Sequence, residues 1–285
     1  METSRVARGL SSRFIAGSTL DEALAVCRRI RSEGITATLD YLGENVRTLE
    51  EAGVCRDMYL RMLDAMHAAG LEPNVSLKLT QFGLDFSTEA CEENVAQLVE
   101  RAAGIGGFVR IDMEASAYTE RTLGIVTRLH ARFGACGTVI QAYLRRSPAD
   151  VAALINARIR VRLCKGAYLE PPSVALESKV DVDRSYLELA GRLLDGGEYP
   201  AIATHDERMI AGVRRFVEEH KIARDRFEFQ MLYGIRRDLQ RELVAEGYRL
   251  RLYVPFGEAW YPYFMRRLAE RPANVLFLLR NLVRS

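Results

Sequence analysis

Short runs of alternating apolar and polar residues recur along the chain, and each is followed by a stretch whose apolar positions fall at helical spacing. The β-like runs are ITATLD (35–40), NVSLKL (74–79), FVRIDM (108–113), TVIQAY (138–143), RIRVRL (158–163), PAIAT (200–204), FEFQM (227–231) and YRLRLYV (248–254). Segments such as ENVAQLVERAA and ELVAEG lie between them with apolar residues on one helical face. Gly34, Gly107, Gly137 and Gly247 stand just before strands, which suits a helix-to-strand turn. Alternating β and α units imply a parallel sheet. Eight of them in this length predict an α/β fold closed into a TIM-like (β/α)8 barrel, with a doubly wound open sheet as the competing arrangement.

The flanks read differently. Residues 1–34 form an N-terminal helical segment, where TLDEALAVCRRI carries a Thr or Asp cap and an apolar stripe suited to covering the barrel bottom or side. The barrel is expected over 35–271. From Pro272, the segment PANVLFLLRNLVRS (272–285) predicts a C-terminal helix whose Val275, Leu276, Leu278, Leu279 and Leu282 pack on the barrel.

In RIRVRL, Arg158, Arg160 and Arg162 alternate with Ile159, Val161 and Leu163, and the run ends at Lys165-Gly166. A solvated face would account for the lower two arginines. The upper pair, Arg162 and Lys165, raises the possibility of an anion site at the strand tops. In a (β/α)8 barrel the active site forms at the carboxyl ends of the strands. Those ends carry Asp40 with Gly43-Glu44, Lys78, Asp112, Gln141 with Tyr143, Arg162 with Lys165, Thr204-His205-Asp206, Gln230 and Tyr253. Buried charges must pair with each other or with a charged ligand. The excess of Lys78, Arg162 and Lys165, with Arg266 and Arg267 near Tyr263 on one helix side, points to a carboxylate or phosphate. Asp112 could equally serve as internal scaffolding for Arg162 or Lys78, and His205 as a structural histidine.

Composition removes several classes. Of 285 residues, 48% are apolar and 27% charged, so a sizeable core is available. The net charge of +2 is dispersed, which argues against a nucleic-acid partner. The five cysteines are scattered without a CxxC or Cys/His cluster, so neither a disulfide framework nor a metal site is expected. Reduced thiols and no signal-like apolar run fit a cytoplasmic protein, with any membrane contact peripheral, at the inner face. No GxGxxG follows the first strand; GIGG at 104–107 precedes one, so a dinucleotide would have to bind through strand-top side chains and the helix after His205.

Several motifs, in order, resemble the proline dehydrogenases: RIDMEA, GTVIQAYL, VRLCKGAYLEP, ATHDER, FEFQMLYGIRRDLQ and YVPFGEAWYPYFMRRLAERP. The match runs from about Gly34 to Pro272, and the size resembles the monofunctional bacterial form. This resemblance implies a distorted barrel that binds FAD, oxidises L-proline to Δ1-pyrroline-5-carboxylate by hydride transfer from C5 to flavin N5, and passes electrons to a membrane quinone. It implies that Arg162 lies near N5 with Asp112 and Met113 beside the isoalloxazine, and that Val139 and Gln141 touch its ring. Lys165, Gly166, Ala167, Thr204 and His205 would meet the polar tail, Gln230 the nucleotide end, and Lys179 the adenine. Lys78, Arg266 and Arg267 would clamp the proline carboxylate, and Tyr253 and Tyr263 would wall its ring. Glu44 would gate the site by pairing with Arg266, with Asp40 and Glu270 in supporting positions. Tyr253 implies a preference for proline over hydroxyproline. Two other readings compete: a barrel lyase using Lys165 as a Schiff base, and a non-catalytic barrel that binds a small anion.

Overall fold

A computed structural model of the protein describes residues 13–43 and 46–259. The expected Glu44 gate, the positions Tyr263, Arg266, Arg267 and Glu270, and the C-terminal helix lie outside the described residues. Eight parallel strands close into one barrel in sequence order. They are β1 (Thr36–Tyr41), β2 (Asn74–Leu77), β3 (Phe108–Ile111), β4 (Cys136–Gln141), β5 (Arg160–Cys164), β6 (Ala201–Ala203), β7 (Glu228–Leu232) and β8 (Leu250–Phe256). The ring is sealed by β1 against β8, from Thr36–Arg251 through Tyr41–Phe256. Closure decides for the barrel over the open sheet.

Helix α1 (Leu20–Ser32) precedes β1, and α2 (Leu49–Ala68), α3 (Thr88–Gly104), α4 (Thr119–Phe133), α5 (Ser147–Asn156), α6 (Lys179–Gly196), α7 (Glu207–Glu219) and α8 (Arg237–Ala245) connect successive strands. The expected cap of α1 is Thr19, whose hydroxyl accepts from Glu22 N while the Glu22 carboxylate accepts from Thr19 N, a reciprocal capping box. The helix lies along the side of the barrel, and just before it Ala16 N donates to Pro255 O at 2.8 Å.

The aliphatic core sits between the helices and the outward face of the strands. Leu39, Val75, Val109, Ile111, Val161, Leu163, Ile202, Leu252 and Val254 point outward and are buried. Each contributes about 1.5–3 kcal/mol by leaving water. Two-residue alternation then sends the intervening set inward, and that set is polar: Thr38, Asp40, Ser76, Arg110, Gln141, Arg162, Glu228, Gln230 and Arg251 are all buried.

All eight strands begin or end one or two residues from the expected bounds, and two of these shifts have a local cause. β4 begins at Cys136 and ends before Tyr143. Its opening residues are weak strand formers, and Gly137 fits because a Cβ there would lie 2.2 Å from Arg160 O. β5 begins at Arg160, because Arg158 belongs to the turn after α5, with φ +54°. The Arg/Ile alternation runs through that turn and disguises it as strand. Arg160 is half-buried, and its guanidinium lies over the Phe108 and Tyr199 rings.

Candidate active site

Arg162 is the hub of the upper barrel. It is 6% exposed, and each guanidinium nitrogen has its own partner: Nε donates to Gln230 Oε1 at 2.5 Å, Nη1 to Asp112 Oδ1 at 2.7 Å, and Nη2 to Ser76 Oγ at 2.8 Å. Ser76 Oγ shares a further hydrogen bond with Thr38 Oγ1 at 2.9 Å. Partners from β7, β3 and β2 therefore fix the plane of a guanidinium carried by β5. Asp112 uses its second oxygen to accept from Tyr253 Oη at 3.0 Å, and the Arg162 guanidinium lies 5.3 Å from the Tyr253 ring centroid. Asp112, Arg162 and Tyr253 thus form one bonded unit, and the scaffolding and site readings of Asp112 describe the same contact.

Lys78, one residue past β2, acts on Asp40. Burial pushes the Asp40 carboxyl up, Lys78 opposes this, and the charge of Asp112 adds to the rise. Asp40 Oδ1 accepts weakly from Tyr59 Oη at 3.3 Å, while Oδ2 is buried with no hydrogen-bond partner among the described residues. Tyr59 is fully buried and also donates to Ser76 O at 2.9 Å. An orphaned carboxylate oxygen, a cation and two phenols converge on the upper barrel.

Below Arg162, the Gln230 amide donates to Glu228 Oε1, and Glu228 takes both bonds of Arg251 Nε, at 2.9 and 3.1 Å. Burial works against the Glu228 charge, but Arg251, Gln230 and Arg110 outweigh it and hold the carboxyl below its ordinary range. Arg110 is brought down to about 9, by burial first and by repulsion from Arg162 second, and is still a cation at neutral pH.

A second cluster stands at the starts of α6 and α7. The Lys165 ammonium is held by Asp183 and, at 2.9 Å, by Asp206, the N-cap of α7. Lys179 bonds Asp183 at 2.8 Å, and Arg208 approaches it at 3.5 Å. Asp183 and Asp206 both lie below the usual carboxylate range: burial opposes this, and bonds from Lys165 prevail. Three cations against two carboxylates beside a helix N-terminus leave an excess positive charge where an anion is favoured. His205 Nε2 accepts from Leu232 N at 2.9 Å, and Thr204 Oγ1 from Asp206 N at 3.1 Å.

The Lys165–Ala167 turn is shaped for close approach. Gly166 has φ +124°, and a Cβ there would meet Tyr143 Cδ1 at 2.1 Å. The Tyr143 hydroxyl is buried without a hydrogen-bond partner among the described residues, and burial pushes it up to about 12. Gly166→Ala combines left-handed strain with overpacking, about 2–3 kcal/mol together. We expect a matching loss in denaturant unfolding and weaker cofactor retention on dialysis; parental stability would show that the turn relaxes freely.

Met113, Val139 and Gln141 are buried near the same end, and the Gln141 amide donates to Glu114 O at 3.0 Å. Glu114 itself, within RIDMEA, accepts from Thr80 N and Oγ1 at 3.1 and 2.7 Å and ties the β3 end to the turn after β2. Sequence reading assigned no role to Glu114, Tyr59, Ser76, Glu228, Arg251 or Asp183. The inward phase of alternation, 74/76/78 and 228/230, could have flagged Ser76 and Glu228 as interior; nothing in the pattern marks Tyr59 or Asp183. Burial pushes the Cys164 thiol up to about 12. Among the described residues no group of metal-binding side chains occurs, and no helix is long and apolar enough to cross a membrane.

The fit to a flavin nucleotide rests on this donor set. A rigid cation and carboxylate lie at the mouth, a glycine turn admits close approach, and a cationic helix start offers a place for phosphates. The family model described as proline dehydrogenase matches residues 23–280. A proline dehydrogenase of Deinococcus radiodurans is 43% identical, over 97% of this chain and 91% of its own. Proline dehydrogenase 1 of Bacillus subtilis (strain 168) is 41% identical, over 96% and 90%. Among solved structures, proline utilization A from Bdellovibrio bacteriovorus, inactivated by N-propargylglycine, superposes with a TM-score of 0.86 at 29% identity. That match covers 92% of this chain and 32% of that one.

Proposed function

The chain belongs to the proline dehydrogenase family, and on that premise we propose that it oxidises L-proline to Δ1-pyrroline-5-carboxylate with FAD at the carboxyl end of the barrel. The observation that carries this reading is the Asp112–Arg162–Tyr253 unit, which holds one cation rigidly at the mouth of the strands. FAD, when bound, supplies the two-electron acceptor for the hydrogen leaving proline C5, with a membrane quinone as the onward sink. Everything else falls to the chain.

Arg162 would present its charge beside the flavin ring, where it favours the electron-rich reduced form. Met113, Val139 and Gln141 would border the ring. Lys165, Gly166, Ala167, Thr204 and His205 would hold the polar tail, Gln230 would act through Arg162, and Lys179 would lie toward the adenine. A bound pyrophosphate would have to share Lys165 with Asp183 and Asp206. Lys78, with Arg266 and Arg267, would clamp the substrate carboxylate by charge-assisted hydrogen bonds. The same cations disfavour the ammonium form of the substrate nitrogen, which must give up a proton for the imine to form. Tyr253 and Tyr263 would wall the ring, and Asp40, Glu44 and Glu270 would support the clamp. Protein of this composition would work in the cytoplasm, touching the membrane peripherally to reach the quinone.

The lyase reading is disfavoured by one observation: Lys165 is a salt-bridged cation between two carboxylates, not a free nucleophilic amine. The test is spectroscopic. Purified protein should show flavin absorbance that L-proline bleaches anaerobically, with hydroxyproline far slower. Absence of flavin, or flavin indifferent to proline, would favour the binding barrel. Borohydride trapping of a keto substrate on Lys165 would revive the lyase.

A further inference from the structure

The amino end of the barrel, opposite the site above, opens on a cavity of about 440 Å³. Its wall comes from the strand starts and the turns below them, including Arg160, Glu228, Arg251, Glu72, Tyr199 and Arg249. Arg251 is fully engaged, bonding Glu228 with Nε and Glu72 with Nη2. Arg160 and Arg249 are not: among the described residues neither has a carboxylate within ion-pair distance. Arg160 lies 5.2 Å from the Phe108 ring centroid and 5.3 Å from that of Tyr199. Arg249 lies 5.6 Å from the same Tyr199 ring and donates to its hydroxyl at 3.3 Å.

Two further observations separate this from an ordinary solvated rim. Tyr199 sits in the left-handed region at φ +42°, a conformation that costs a bulky residue about 1–3 kcal/mol and persists only under constraint. The charge is also unbalanced. Of the charges lining the cavity, the guanidiniums of Arg160, Arg249 and Arg251 face the two carboxylates Glu72 and Glu228, and Asp225 acts on Arg249 from outside the lining. The recess thus carries one guanidinium in excess of its lining carboxylates, and two of its guanidiniums are stacked on aromatic rings with no carboxylate in ion-pair distance among the described residues.

We propose that this cavity is a binding site for a small oxyanion, a phosphate or a carboxylate, gripped by Arg160 and Arg249, which the Tyr199 ring holds in place while its hydroxyl donates to Glu228 at 3.3 Å. Planar guanidiniums fixed on an aromatic face are suited to such groups, since their donors are pre-oriented and match two oxygens at once. The volume falls within the range of small-molecule pockets, roughly 300–1,000 Å³, so the oxyanion can belong to a molecule larger than the free ion.

The test titrates the holoenzyme calorimetrically with inorganic phosphate and, separately, with succinate, at constant ionic strength set by chloride. Saturable one-site binding is expected, weakened tenfold or more in Arg160→Gln and in Arg249→Gln, with the KM for L-proline unchanged in both. The tighter-bound anion assigns the group as phosphate or carboxylate. Arg249 is exposed, so its variant keeps the test available should Arg160→Gln fold poorly. Failure of both anions to saturate would overturn the proposal. So would binding that survives both substitutions; if it also competes with L-proline, the anion belongs to the opposite mouth. The heat of binding needs no turnover, so this result stands apart from the outcome of the proline assay.

Discussion

Arg162→Met should slow the anaerobic reduction of bound flavin by L-proline about 10²–10³-fold, the usual loss when a preorganised electrostatic contact is removed. Flavin stoichiometry should remain near parental, and the flavin reduction potential should fall, because the electron-rich reduced ring loses its neighbouring cation. Arg162→Lys should recover part of the potential but little of the rate. A lysine restores the charge, but as a single point it cannot hold Gln230, Asp112 and Ser76 together as the guanidinium does. A reduction rate within threefold of parent in the Met variant, with flavin retained, would remove Arg162 from the chemistry. Unfolding measured in parallel separates a loss of the site from a loss of the fold.

The second large effect concerns stability. Glu228→Gln should destabilise the protein by about 3–5 kcal/mol at pH 7, because Arg251 and Arg110 keep their buried charges while losing a counter-charge. The sign of the pH dependence follows from the direction of the shift. Glu228 is held below its ordinary value of 4.5, so its contribution is present above that pH and disappears as pH falls through the lower folded-state value. The gap between parent and variant should therefore narrow as unfolding is measured from pH 7 down past 4. A gap that stays constant would mean that the variant fails for reasons of shape, not charge. Asp40, shifted the other way, contributes stability that is present below its ordinary 3.8 and lost as pH rises from there through its higher folded-state value. Removing its charge with Asp40→Asn should not reproduce the Glu228 profile.

The barrel could be read from the chain because its signal is local. Eight alternating runs and the helical stretches between them each report their own structure, and the ring follows from their number. Boundaries failed where local signals misled: the Arg/Ile alternation ran through the Arg158 turn, and small residues hid the start of β4. The strand-top residues could be named, but not their partners. That Arg162 meets Gln230 is a contact across 68 positions, and no period encodes it. Nor does spacing predict that Lys165 would be shared between Asp183 and Asp206, which is set by how α6 and α7 dock. Arg160 was assigned to a wet face and Glu228 went unremarked, because a charged residue in a strand ordinarily marks such a face. Here the inner phase is polar and the aliphatic core lies outside the ring.

Asp112 answers to two neighbours at once, one oxygen to the guanidinium and one to the phenol of Tyr253. Any exchange at Tyr253 made to widen the range of accepted ring substituents also releases half of that carboxylate, and with it the restraint on the adjacent cation. On the proposed reading, in which Tyr253 walls the substrate ring and Arg162 faces the flavin, selectivity and electron affinity would not be independent traits in this scaffold. Lineages or engineers that change one should find the other drifting, and second mutations that restore a hydroxyl facing Asp112 should recur.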